Sequence, residues 1–318
     1  MADQVTMVID CDAGVDDAVA IMMALGQPNV QLIAVTCVDG NVSLDKVTLN
    51  VLRVLQKCDH LSIPVYSGAS KDILGTATEK STVHGVDGLG DIPNQEQPPS
   101  KDLIQSEHAV LALVRMVNER PGQITLVAIG PLTNVALAMR LDADFTSKLK
   151  ELIIMGGNIR GTGTRFLTSE FNFTTDPTAA EMVLTGVRCP TIVVPLETCL
   201  SHSISYDWFD DLCQKRSAKA KFVSAMYEGP LRRSKKLGRA ACAVPDGCAV
   251  AVASCGESIQ EVFHVPCKVE MCEGLTKGQM QAPAIVRPFL FHFEGPQIDV
   301  VTKFDMDKYY QMLDSVVR

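Results

Sequence analysis

Short apolar runs alternate with helical patterns along the first two-thirds of the chain. Val5–Asp10 is an apolar run ending in an acid, and Gln31–Thr36, Pro64–Tyr66, Ile124–Ile129, Glu151–Met155 and Thr191–Val194 read as further strands. Between them, Asp16–Leu25, Leu44–Cys58, Glu107–Asn118, Leu132–Arg140 and Pro177–Leu184 carry apolar residues at helical spacing. Strands apolar on both faces, alternating with helices, predict right-handed βαβ units. The fold class is therefore α/β, a mostly parallel central sheet flanked by helices. From about Ser201 the pattern changes to helices, then a small strand-rich addition (Val262–Met271, Ala284–Val286, Ile298–Thr302) and a final helix, Met306–Val317. With no internal repeat and no linker, residues 1–318 read as a single domain.

Two stretches break the rhythm, Gly68–Ser100 with its HGVDGLGD segment and Gly156–Thr168. Each follows an expected strand, and sites in open α/β sheets lie beyond the carboxyl ends of strands.

Composition narrows the class. Lys and Arg number 29 against 37 Asp and Glu, a net charge of −8, which argues against nucleic-acid binding that depends on cationic surface. No apolar run reaches the ~18–20 residues that span a bilayer, so no membrane is expected. The N-terminus shows no signal-peptide pattern, and eleven cysteines without a C-x-x-C pair predict reduced thiols and a cytoplasmic location. Cys242, Cys248 and Cys255 are spaced as a buried helical face. Cys267 and Cys272 lack the second pair that a zinc site needs.

The strongest local signal is Asp10-Cys-Asp12-Ala-Gly14-Val-Asp16-Asp17 at a strand-to-helix turn, where Gly14 permits an unusual φ. The helix dipole favours acids in a first turn by about 0.3–1 kcal/mol. Two unit charges about 4 Å apart repel by about 4 kcal/mol at an effective dielectric near 20. Four acids here therefore point to protonation or to a bound cation, and all-oxygen ligands suit Ca²⁺ or Mg²⁺ better than zinc. A cap with solvated turn acids is the plainer alternative. A phosphatase of the haloacid-dehalogenase type also carries D-x-D after its first strand, with Asp10 as nucleophile and Asp12 as acid, but it leaves Asp16 and Asp17 unexplained.

VIDCDAGVDDAVAI closely resembles the D-x-D-P-G-x-D-D signature of the nucleoside hydrolases, the inosine-uridine-preferring N-ribohydrolases. Further segments resemble that family in order: Val38–Val42 (VDGNV), His84–Gly90 (HGVDGLG), Ala128–Asn134 (AIGPLTN), Met155–Gly157 and Glu170–Pro177 (EFNFTTDP). Asp246 in VPDGCAV takes the place of the acid in the late H-D motif. The resemblance spans residue 10 to about 250.

It implies a Rossmann-like core and a Ca²⁺ held by Asp12, Asp17, the carbonyl of Ile129 and Asp246, facing the ribose hydroxyls and a water. Asp12 would take the proton of the attacking water. Asp16, Asn41, Glu170 and Asn172 would contact the ribose, with Met155 beneath it and His84 on the base side as a candidate catalytic group. The implied partner is a small-molecule nucleoside, and the implied assembly is a homodimer or homotetramer.

C–N cleavage through an oxocarbenium-like state needs carboxylates near the ribose, an oriented water and help for the departing base. The sequence departs from the pattern at that last need. Pro245 stands where much of the family has a proton-donating His, which leaves open a weak or inactive relative that only binds a nucleoside, ribose or nucleotide. Thr162 and Thr164 lie nearest the family's Asn of the M-G-G loop, and Ala13 replaces its Pro. Arg232–Arg239 carries five cations where the family often has aromatic residues, with Tyr227 the nearby aromatic. That run reads as a solvated helix face, a subunit contact or a site for a nucleoside phosphate.

Overall fold

The computed structural model describes residues 4–77, 80, 82–92, 98–164, 167–282, 285 and 294–317. Its first half runs β1 (Val5–Cys11), α1 (Val15–Gly26), β2 (Val30–Cys37), α2 (Leu44–Lys57), β3 (Val65–Ser67), β4 (Ile104–Gln105), α3 (Ala109–Glu119), β5 (Ile124–Ala128), α4 (Thr133–Leu141) and β6 (Glu151–Met155). Then come α5 (Phe171–Thr175), α6 (Pro177–Gly186), β7 (Thr191–Val194), α7 (Leu196–Ser201), β8 (Ile204–Ser205), α8 (Tyr206–Gln214), α9 (Ala218–Lys236), β9 (Ala241–Cys242) and α10 (Pro245–Ser254). The chain closes with β10 (Ile259–Val265), β11 (Lys268–Val269), β12 (Met280–Gln281), β13 (Ile298–Phe304) and a C-terminal helix, Met306–Ser315.

Nine strands form one sheet in the order β10-β13-β7-β6-β5-β1-β2-β3-β4. Every pairing in it is parallel except β10 with β13. β1 shows why the strands read as unbroken apolar runs. Met7, Ile9 and Cys11 enter one core with residues of α1, α2, α9 and α10, while Val8 enters the other with residues of α3, α4 and α6. Fully burying one such side chain contributes about 1.5–3 kcal/mol.

The strand-rich addition resolves into two parts. β13 and β10 extend the main sheet, and β11 pairs with β12 in a separate antiparallel ribbon. The run expected over Val262–Met271 is interrupted at Pro266, which has no N–H for a ladder. The strand expected over Ala284–Val286 lies outside the described residues, which there include only Ile285.

The strand order places the site. From β1 the chain builds outward through β2, β3 and β4, then returns to the other side of β1 with β5 and proceeds through β6 and β7. The β1/β5 boundary is therefore the topological switch point, where the loops leaving the carboxyl ends part and open a crevice. Among the described residues, no helix is long and apolar enough to cross a membrane.

Candidate active site

The acids of the first motif converge at that switch point. Asp17 reaches back from the first turn of α1, its carboxylate accepting the backbone N–H of Gly14 at 2.7 Å and of Asp12 at 3.2 Å. Asp12 Oδ2 accepts the N–H of Asn41 at 2.7 Å, but its Oδ1 is buried with no partner. α10 brings in Asp246 one residue after its leading Pro245. Ligand oxygens of Asp16, Asp17 and Asp246 lie within 4.8 Å of one another. This tightest trio contains Asp16, which the resemblance assigns to the ribose, and does not contain Asp12.

Burial is the main cause of the acids' perturbed ionisation. It pushes Asp17 up to about 7, with Asp16 adding to it, and holds Asp12 and Asp246 well above the carboxylate range. Asp17 and Asp246 are close enough to share a hydrogen bond. At about 4.8 Å each ionised pair repels by about 3 kcal/mol at an effective dielectric near 20, beyond what a helix N-terminus offsets. A hard divalent cation would offset the charge and give the unpartnered Asp12 oxygen a partner.

The turn's unusual φ is at Ala13 (+44°), not at Gly14 (−77°). A proline, locked near −65°, could not adopt the Ala13 conformation. Gly14 serves close approach instead, since a Cβ there would press on Asn41 Nδ2 and His84 Nδ1.

His84 Nδ1 accepts the N–H of Val15 at 3.2 Å, which assigns the hydrogen to Nε2. Asp16 Oδ1, 3.5 Å from the same Nδ1, consequently gains no hydrogen bond from it and remains buried without a partner. In this geometry His84 ties its loop to α1 and can offer Nε2–H as a hydrogen-bond donor.

Asn172 Nδ2 donates to the carbonyls of Ile129 and Met155, both at 3.1 Å, joining the ends of β5 and β6. Glu170 caps α5, accepting N–H groups from Asn172, Gly157 and Phe173. Burial nonetheless pushes its carboxyl up to about 7.

A cavity of about 620 Å³ opens above this floor. Asp16, Asn41, His84, Ile129, Met155, Glu170, Asn172 and Asp246 line it, whereas Asp12 and Asp17 sit beneath. Thr162 and Thr164 line it too, in a loop held by Glu197, whose carboxylate accepts the N–H groups of Ile159, Arg160 and Thr162. Asp10 is not in the cavity. Its Oδ1 accepts from Thr36 and Asn134, and burial pushes its carboxyl up to about 7, so it is not placed as a nucleophile.

Other motif residues are structural. Asn134 also donates to the Cys37 carbonyl and accepts the N–H of Ala69, while Asp176 accepts from Ala179, Thr133 and Ile73. His202 spends both ring nitrogens on Thr198 and Phe304. All eleven cysteines are free thiols, and Cys242 lies on β9 at the cavity wall rather than on a helical face with Cys248.

The resemblance pointed to this helical segment through Arg232–Arg239 and Tyr227, but not to which residues of α9 form the cavity's outer wall. Tyr227, Pro230, Ser234 and Leu237 project at i, i+3, i+7 and i+10, a pattern present in the sequence but common to any amphipathic helix. Pro230 inside α9 has no N–H to donate to the Met226 carbonyl, and Gly90 (φ +76°) packs against that carbonyl so closely that a Cβ would overlap it. The basic run divides. Arg233 and Arg239 line the mouth, with Arg233 donating to the Thr82 carbonyl at 3.0 Å, while Lys235 lies over the Tyr206 ring.

Fold and site together define an α/β protein with an acid-floored pocket at a parallel-sheet switch point. Comparison with known proteins specifies it further. Residues 7–311 match the family model of the inosine-uridine preferring nucleoside hydrolases, and the chain belongs to that family. The pyrimidine-specific ribonucleoside hydrolase RihB of Escherichia coli is 41% identical over 191 residues, 60% of this chain and 59% of the relative. The aligned part is thus less than two-thirds of that relative's length. Among solved structures, a plant nucleoside hydrolase superposes with a TM-score of 0.90 at 27% identity, covering 98% of each chain. An inosine-guanosine nucleoside hydrolase gives 0.86 at 30% identity, covering 99% of this chain and 98% of its own.

Proposed function

We propose that this chain hydrolyses the N-glycosidic bond of ribonucleosides in the α9-walled cavity, with Ca²⁺ held by Asp12, Asp17, the Ile129 carbonyl and Asp246. Of the three buried, unpartnered carboxylate oxygens at the end of β1 and the start of α1, Asp10 Oδ2, Asp12 Oδ1 and Asp16 Oδ1, the last two carry this reading, since Asp10 is held by Thr36 and Asn134 away from the cavity. Asp12 lies beneath the floor, where a cation compensates it. Asp16 faces the cavity, where a ribose hydroxyl reaches it. Bound there, the cation would neutralise the acids and lower the pKa of a ligated water. Asp12 takes the water's proton. Asn41, Glu170 and Asn172 orient the sugar over Met155, and the surrounding carboxylates stabilise the positive charge developing at the anomeric carbon. The relatives' names span pyrimidine and purine nucleosides, which supports reading the base preference from the wall rather than the floor.

Calorimetry with Ca²⁺ and a calcium-replete screen of nucleosides and their 5′-monophosphates for released ribose or ribose phosphate test the proposal. Wild type should bind one Ca²⁺ and release free base; Asp12→Asn and Asp246→Asn should do neither. Absence of Ca²⁺ binding by the wild type would sink the ligand assignment. A second reading, a binding protein without efficient turnover, is favoured by Pro245 at the cavity wall. Rapid turnover of inosine or uridine would exclude it.

A further inference from the structure

Pro245 removes the proton donor that a leaving base needs, but the cavity wall carries an unused hydroxyl. Tyr227 is 3% exposed and lines the cavity, and its O–H has no hydrogen-bond partner. A buried hydroxyl without a partner costs roughly 1–3 kcal/mol, so its retention needs a reason. Its ring is fixed against Phe209, with centroids 4.6 Å apart and planes at 51°. The phenol lies where two environments meet. Burial raises its pKa first, followed by Cys242 and then by the floor acids Asp16 and Asp246. On the same stripe, Pro230 and Leu237 present the apolar surface that a planar base would cover.

Resting on the nucleoside-hydrolysis reading above, we propose that Tyr227 is the catalytic hydrogen-bond donor to the departing base. A sugar on the acid floor and a base on the α9 wall would put the C–N bond at their junction, beside this hydroxyl. Water oxygen forms the new bond to the anomeric carbon, and its proton passes to Asp12. The C–N electron pair leaves with the base. Tyr227 O–H donates to the base atom on which negative charge accumulates and keeps its own proton, while solvent water supplies the proton of the released base. Burial, which disfavours the phenolate, fits this role, since the O–H stays protonated throughout.

The test compares Tyr227→Phe with wild type, both calcium-loaded, on inosine or uridine and on p-nitrophenyl riboside, whose leaving group needs no donor. The variant should lose about 100–1,000-fold in kcat on the nucleoside, the range for removing one such donor, and stay within about twofold on the nitrophenyl riboside. Its melting temperature should not fall and should rise if anything, because the hydroxyl has no protein partner to lose and its burial penalty is removed. Equal losses on both substrates, or no loss on the nucleoside, would overturn the proposal. If wild type cleaves neither substrate, the hydrolase reading falls and takes this assignment with it. Activity on the nitrophenyl riboside alone would show an intact ribose site and no working donor, and would overturn only the role of Tyr227.

Discussion

Glu170 makes stability depend on pH in a way that one substitution should expose. Its carboxyl is 3% exposed and is pushed by burial from 4.5 to about 7, against three backbone N–H donors. Below pH 4.5 both folded and unfolded chains hold the proton, and the group costs nothing. As pH rises toward 7 the unfolded chain releases the proton while the folded one retains it, so stability falls; above 7 the loss is complete. The full loss is about 3 kcal/mol, most of which develops between roughly pH 5 and 8. In Glu170→Gln the amide oxygen can accept from Gly157 and Phe173, leaving the Asn172 N–H unpaired at a pH-independent cost of about 1–2 kcal/mol. Urea denaturation of both proteins in chelator-containing buffer, from pH 5 to 8, gives the difference directly. Titration of the aspartates is common to both and subtracts out. The variant should be the less stable protein at pH 5 and gain on wild type by about 2–3 kcal/mol by pH 8. Parallel curves would show that the three N–H donors outweigh burial and that Glu170 is ionised throughout.

Other expectations follow from single contacts. Asn134→Ala orphans the Cys37 carbonyl and the Ala69 N–H and removes one donor from Asp10, and should cost about 3–5 kcal/mol in denaturant unfolding. Gly90→Ala places a Cβ on the Met226 carbonyl at a positive φ, and should cost about 2–4 kcal/mol while lowering nucleoside turnover by displacing α9. Ala13→Gly relieves a positive φ and should stabilise by up to about 1 kcal/mol, read as a raised melting temperature. Asp12→Asn should raise stability in chelator and abolish the stabilisation that added Ca²⁺ gives wild type, by thermal scan.

The sheet was legible because strands buried on both faces leave unbroken apolar runs, and Glu151–Met155 and Thr191–Val194 form strands with the expected bounds. β4 escaped because two residues carry no period, and the Val262–Met271 run was split by Pro266. The floor was legible because its carboxylates cluster in short motifs at strand ends. Tyr227 was legible only as the aromatic nearest the basic run, because the placement of its hydroxyl depends on which face of α9 meets the cavity, and that depends on packing against Gly90 and Phe209. Motif membership also over-reached, since Asn134 and Asp176 share motifs with cavity residues yet hold the scaffold.

The switch-point architecture separates two inheritances. The sugar floor is assembled from loops after β1, β2, β5 and β6 together with α5 and α10, so altering it disturbs many elements at once. The facing wall is largely one stripe of one helix. A change of nucleobase can therefore be reached by substitution along α9 and its C-cap, and a designer seeking new specificity has a three-position library, 230, 234 and 237, that leaves Tyr227 and the sugar floor untouched.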